Sequence, residues 1–210
     1  YYSQYIMYKI GITGSIGTGK TTVAKMFALF KVPIFDADEE IKKILNSEKV
    51  KQKIQDKWPH VIRGNEIDKS KLKSIIFSKK NEKLRLEKLL YPYLEKEKNK
   101  FEKVNYNKNI LVYDIPLIYE TKTEKKYDLI LLTNCNLTLQ KRRVLKRDKI
   151  SGSLFEKIVE SQLSVNEKIK FKPQIINTQR TKFFILLKII ILLTKIQIRL
   201  KLKKWKTKEN

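Results

Sequence analysis

Four of the chain's six glycines fall in one stretch, "GITGSIGTGKTTVAKMF", which runs from Gly11 to Phe27. Glycine loses more freedom on ordering than any other residue, so such a cluster marks backbone that must approach something closely. The residues before it, Met7-Tyr8-Lys9-Ile10, alternate and favour extended backbone. After Lys20, the apolar Val23, Phe27 and Phe30, with Ala24 and Ala28 between them, suit one face of a helix. The order is strand, glycine loop, helix. Within it Gly14, Gly19, Lys20 and Thr21 fit G-x-x-x-x-G-K-[ST] in the required context. The loop Gly14-Ser15-Ile16-Gly17-Thr18-Gly19, with Lys20, Thr21 and Thr22 opening the helix, forms an amide nest for phosphate oxygens. Lys20 would reach the β- and γ-phosphates, and the Thr21 hydroxyl would bind Mg²⁺.

With 210 residues the chain can bury a full core, and its length favours one domain with an inserted lobe. A single cysteine, Cys135, excludes an internal disulfide framework and a thiolate metal cluster. It ends the apolar run "YDLILLTNC", which points to a structural thiol. The lone His60 offers neither a metal pair nor a triad. "YYSQYI" lacks the features of a secretory signal; residues 1–6 read as an extension ahead of the first strand, and a reducing cytoplasm is the expected location. The formal net charge of +25 invites a nucleic-acid reading, but only seven of the 47 basic residues are Arg. No aromatic-basic RNA module or zinc-finger spacing appears. No specific nucleic-acid partner is expected, and the charge reads as steering of anionic substrates.

Further along, Val32 to Phe35 makes a short strand ending at Asp36 and Asp38. Residues 39–107 are helical and charged; Leu84, Leu86, Leu89, Leu90 and Leu94 line one helix face, and Pro92 should kink or divide that helix. Ile110 to Tyr113 and "YDLILLTN" are continuous buried strands, and "PQIINT" is a last short one. Between them "LTLQKRRVLKRDKISGSLFEKIVESQLS" reads as two amphipathic helices about Ser151-Gly152-Ser153. Apolar strands alternating with helices predict an α/β three-layer sandwich with a mostly parallel sheet of about five strands. Ligands bind such sheets at the carboxyl ends of the strands, where the glycine loop, Asp36, Asp38 and Asp114 should share one rim. Phe183 to Ile196 is apolar but interrupted by Lys188, and is short for a membrane span of about 20 residues. Arg199, Lys201, Lys203, Lys204 and Lys206 follow it. A terminal helix packed on the sheet is the preferred reading, and a helix lying in an anionic membrane surface is the alternative.

Three features narrow the chemistry. Asp36 and Asp38, two apart, would face the same way in extended backbone, where a carboxylate can accept a hydroxyl proton or hold Mg²⁺ through water. They also suit the cap of the following helix. Arg142, Arg143 and Arg147 concentrate guanidinium charge; Arg143 and Arg147 share a helix face, and Ser151-Gly152 gives the break that a closing lid requires. Asp114 ends a strand where it could order water on Mg²⁺, Pro116 sets a rigid turn, and Leu117 and Ile118 would form an apolar wall.

These residues resemble the dephospho-coenzyme A kinase family. "GITGSIGTGKTTVAKMF", "PIFDADEEI", "NEIDKSKLKSIIF", "YDIPLIYE", "QKRRVLKRD" and "ESQLS" occur in that family's order, over about Met7 to Thr178. The resemblance implies transfer of a phosphoryl group from ATP, with Mg²⁺, to the ribose 3′-hydroxyl of dephospho-CoA, the final step of coenzyme A synthesis. ATP and dephospho-CoA are the implied small-molecule partners. It further implies a kinase domain over 7–182, with a core (7–38, 108–138 and 170–182), a helical acceptor-binding insertion (39–107) and a lid (139–169), followed by the tail 183–210. Asp38 matches the proposed base, with Asp36 beside it. Lys20 and Thr21 match the phosphate and Mg²⁺ groups, Arg143 and Arg147 the lid arginines, and Gln162 a recurrent lid glutamine. Asn177 falls near the adenine pocket; Asp114, Pro116 and Leu117 fall on the acceptor side. Departures from the pattern are Lys69 for arginine, Tyr91 for histidine, Gln174 for aspartate and Gln179 for glycine; Lys69 keeps the charge but loses the bidentate fork. The residues alone also allow another P-loop nucleoside or nucleotide kinase, a nucleotide-regulated module binding polyanions, or a relative that binds nucleotide without transfer.

Overall fold

Strand β1 (Tyr8–Thr13) sits at the centre of a sheet because both of its faces find apolar cover. The computed structural model describes residues 7–64, 66–78 and 80–206. Residues 1–6 therefore lie outside the described residues, as do the side chains of Lys204 and Lys206. The chain divides into two units, residues 1–34 with 105–210, and residues 35–104.

In the first unit β1 pairs in parallel with β5 (Ile110–Asp114) on one side and β6 (Leu129–Asn134) on the other. β7 (Gln174–Asn177) extends β6, again in parallel. The sheet order is β2-β5-β1-β6-β7, with β2 (Ile34–Asp36) at one edge; the boundary between the units runs through this strand. The register sets Ile12 opposite Asp114 and Asn134 opposite Asn177, so strand ends assemble along one rim. The α/β, parallel, five-stranded architecture expected from the alternation of elements is what the chain adopts.

Ile10 and Ile12, two apart on β1, are fully buried on one face. Helices α1 (Lys20–Ala28) and α9 (Lys182–Lys206) cover them through Val23 and Phe27, and through Ile185, Ile189, Leu193 and Ile196. Gly11 faces the other way, where a Cβ would lie 2.7 Å from Ile118 Cδ1. Ile118 is thus a fully buried core residue beneath Gly11, a correction to the apolar wall expected of it. Burying a large aliphatic side chain contributes roughly 1.5–3 kcal/mol. Deleting residues 183–210 should therefore bare the Ile10–Phe27 face and give aggregated protein, read by the soluble fraction on expression. A soluble, active truncated chain would contradict this packing.

The unit of residues 35–104 has its own core of Ile44, Val50, Ile54, Trp58, Val61, Leu72, Leu86 and Leu90. It comprises α2 (Ala37–Leu45), α3 (Glu48–Lys57), a two-stranded hairpin β3 (Ile62–Arg63) and β4 (Glu66–Ile67), α4 (Lys69–Ser78) and α5 (Lys80–Val104). The hairpin is an addition to the all-helical expectation; Gly64, at φ 63°, supplies its left-handed turn. Pro92 neither ends nor divides α5, which runs continuously through it. The missing amide costs one hydrogen bond, but the buried Leu86 and Leu90 hold that face of the helix on the core.

The two helices expected about Ser151 are present, α6 (Leu137–Asp148) and α7 (Gly152–Glu160), and beyond that stretch a third, short one follows, α8 (Val165–Ile169). Asn136 and Ser151 cap the first two. The third starts from a capping box in which Ser164 and Glu167 each accept the other's backbone amide.

Candidate active site

The glycine loop joins β1 to α1 in backbone that only glycine adopts without strain. Gly14, Gly17 and Gly19 have φ of 150°, 77° and 92°. Space is as restrictive as conformation. A Cβ on Gly14 would lie 2.6 Å from the Thr133 carbonyl oxygen, and one on Gly17 would lie 2.6 Å from Val144 Cγ2 on α6. The loop is braced from within: the Thr18 hydroxyl donates to the Ser15 carbonyl (2.7 Å) and lies 2.8 Å from the Thr133 hydroxyl. Lys20 Nζ donates to the carbonyls of Gly14 (2.7 Å) and Ser15 (3.2 Å), which draws its cation across the mouth of the loop. Thr21 and Thr22, in the first turn of α1, are exposed.

Arg143 on α6 ties the loop to the end of β7. Its guanidinium donates to the Thr178 carbonyl (2.9 Å), the Thr178 hydroxyl (3.1 Å) and the Gly17 carbonyl (3.4 Å). The Thr178 hydroxyl in turn donates to the Thr18 carbonyl (2.6 Å). Thr178 is a buried hub that motif reading missed; its position just past a strand end on the rim was the available signal. Cys135 is buried beside Arg143, and burial raises its pKa, in keeping with a structural thiol. Gly17, Gly19, Thr22, Arg143, Lys146, Arg147, Thr178, Arg180 and Lys182 line a cavity of about 620 Å³. Five of these residues are cations, and their combined field favours an anionic ligand beside the glycine loop. Arg147, one turn beyond Arg143, is exposed and makes a bidentate pair with Asp148.

Gln162, just past α7, reaches the loop: its Oε1 accepts the Ile16 amide at 3.2 Å. The next residue is anchored, because the Leu163 amide donates to Glu120 Oε1 (2.9 Å). Glu120 also pairs with Lys168 Nζ at 2.9 Å, and Lys168 is fully buried. This pair, absent from the sequence reading, holds the segment that carries Gln162. Breaking a buried pair leaves a charge without its partner, at about 3–5 kcal/mol. Lys168→Met should lower the melting temperature accordingly, and adding Glu120→Gln should restore part of the loss. Unchanged melting in Lys168→Met would contradict the anchoring.

Asp114 is buried at the end of β5, and the Thr13 hydroxyl donates to the Pro116 carbonyl (2.8 Å) on the same rim. Leu117 is half-buried, and its carbonyl accepts from Thr121. Asn177 is exposed at the end of β7, where its Oδ1 accepts the Gln179 amide (2.9 Å); Gln174 opens the same strand, also exposed.

Asp36 and Asp38 belong to the other unit. Asp36, at the end of β2, is the N-cap of α2 and accepts the Glu39 amide at 3.1 Å. Asp38 lies one residue into the helix and is exposed. The extended backbone expected across the pair is thus corrected to cap and first turn, because the Asp36 side chain starts the helix at Ala37. Lys42, one turn further on, has its pKa raised, first by its hydrogen bond to Glu39 and to a lesser degree by Asp38 and Asp36. Lys69 is exposed at the start of α4, where Asp68 accepts the Ser70 and Lys71 amides. Tyr91 has its hydroxyl pKa pushed up to about 12, by burial first and then by Glu87.

A glycine loop running into a helix at the carboxyl rim of a parallel sheet, beside a basic cavity, is the arrangement of the P-loop nucleotide-binding fold. The family model for dephospho-CoA kinase matches residues 8–182. A Bartonella henselae protein named dephospho-CoA kinase is 36% identical over 172 residues, covering 80% of this chain and 88% of that protein. One of the same name from Bacillus cereus is 30% identical over 201 residues, covering 93% and 96%. A solved Thermus thermophilus structure shares the fold, with a TM-score of 0.81 at 23% identity over 90% of this chain and 97% of that one. The chain belongs to the dephospho-CoA kinase family, ATP-dependent kinases of coenzyme A biosynthesis.

Proposed function

We propose that the chain transfers the γ-phosphoryl group of ATP to the ribose 3′-hydroxyl of dephospho-CoA, with Asp38 as base. The observation that carries the nucleotide half is the braced glycine loop with Lys20 across its mouth and five cations on the adjoining cavity. The loop amides and Lys20 hold the β- and γ-phosphates, and Arg143 and Arg147 balance charge on the equatorial oxygens. Arg143 also fixes the loop through Gly17 and Thr178, so it shapes the site as well as charging it. Asp38 takes the proton of the acceptor hydroxyl as its oxygen bonds to the γ-phosphorus. The bond from that phosphorus to the bridging oxygen breaks, and ADP leaves. Asp36 orders the helix start that presents Asp38. Asp114, Pro116 and Leu117 are assigned to the acceptor side, and Asn177 to the adenine edge.

Mg²⁺ fits the donors present. Thr21 offers an exposed hydroxyl at the first turn of α1, and Asp114 a carboxylate at the end of β5, both hard oxygen donors. Among the described residues no group of three or more His, Cys, Asp or Glu is placed to hold a metal. When bound, Mg²⁺ would neutralise charge on the phosphates.

The core, the insertion of residues 39–107 as the acceptor lobe, and residues 139–169 as a lid complete the proposal. The proposed small-molecule partners are ATP and dephospho-CoA, as membership of the family supports, and the proposed location is the cytoplasm. An acceptor panel tests the assignment. Dephospho-CoA should be consumed in preference to nucleosides, nucleoside monophosphates and shikimate; faster consumption of any of these would reassign the substrate.

A further inference from the structure

Helix α9 carries two apolar stripes, and the sheet uses only one. Ile185, Ile189, Leu192, Leu193, Ile196 and Leu200 are buried against the core. Phe184, Leu187, Ile191, Ile198, Leu202 and Trp205 recur at helical spacing and are 43–61% exposed. At 100° per residue the outer stripe lies about 160° around the helix from the inner one. A helix that only closed a core would be polar on that side. Lys188, Lys195 and Arg199, all exposed, run along one border of the outer stripe. Lys182–Lys206 holds eight basic residues and no acidic one.

We infer that the outer face of α9 docks in the plane of an anionic lipid bilayer, with the inner face kept on the sheet. Charge complementarity selects this occupant. A second copy on the same face would bring two such basic helices together on chains of +25 each. An anionic bilayer offers acyl depth for the stripe and headgroup charge for its border. The stripe spans 22 residues, about 33 Å of helix, and has Phe184 near one end and Trp205 at the other, aromatic residues suited to the headgroup level. Among the described residues no helix is long and apolar enough to cross a membrane, so the contact is one of lying on the surface.

The test uses the full chain with vesicles of phosphatidylcholine alone or mixed with phosphatidylglycerol, read by flotation and by tryptophan emission. The chain's other tryptophan, Trp58, is buried in the other unit, so a blue shift on lipid reports Trp205. The chain should float with the anionic vesicles only. Ile191→Gln with Ile198→Gln, and separately Lys188→Glu with Lys195→Glu, should each weaken partitioning more than ~10-fold, with kinase turnover unchanged. If the glutamine pair fails to fold, the charge pair carries the test alone. Equal binding to neutral vesicles, no binding, or retention of binding in both variants would overturn the inference. So would a soluble dimer dispersed by the glutamine pair, which would make the face a self-interface, or preferential capture of an acidic protein over anionic vesicles.

Discussion

Asp38→Asn should lower turnover by ~10²–10⁴, about 3–5 kcal/mol of barrier, with ATP affinity and melting temperature unchanged. The substitution keeps the size of the side chain and removes its ability to take a proton. Helix capping gives the competing explanation for acids at this place, and the structure separates the two roles. Asp36, not Asp38, is the N-cap of α2. Asp36→Ala should therefore cost about 1 kcal/mol of stability, whereas Asp36→Asn should cap as well as aspartate. Turnover, ATP affinity and melting temperature measured on these variants place the base at Asp38 if only turnover falls in Asp38→Asn. Full activity in Asp38→Asn would remove Asp38 from the chemistry.

Lys20→Ala should cost ~10²–10³ in turnover, by analogy with the loss of one donor aimed at developing negative charge. It also removes the donor to the Gly14 and Ser15 carbonyls. The fold should survive, because Lys20 is only half-buried and the loop keeps its Thr18, Thr133, Thr178 and Arg143 braces. ATP affinity should fall with turnover, which distinguishes this variant from Asp38→Asn. Near-normal turnover would sink the assignment of the loop.

The glycine loop was legible in the sequence because its chemistry is local: spacing, left-handed glycines and the helix start all lie within a few residues. The parallel sheet was legible because β5 and β6 read as continuous apolar runs, while β1 reads as an alternating strand that leads into the glycine loop. What escaped depends on contacts distant in the chain. Lys168 looks like any other lysine in a basic sequence, and only the fold buries it against Glu120, 48 positions earlier. Thr178 becomes a hub only when β7 lies beside β6 and α6 comes over the loop. Pro92 does not divide α5, because tertiary packing at Leu86 and Leu90 outweighs one lost hydrogen bond. The hairpin at Ile62 and Ile67 has two-residue strands, too short for any period to register. In α9 the sequence shows an apolar run without saying which side each residue takes, and only the fold divides the helix's apolar residues between a buried stripe and an exposed one.

Mass analysis of dephospho-CoA after incubation with the full chain, ATP and Mg²⁺ tests the central claim most directly. The expected product carries one added phosphoryl group on the ribose 3′-oxygen, formed in equal amount with ADP. Consumption of ATP, or binding of ATP, with no gain of mass on the acceptor would contradict it.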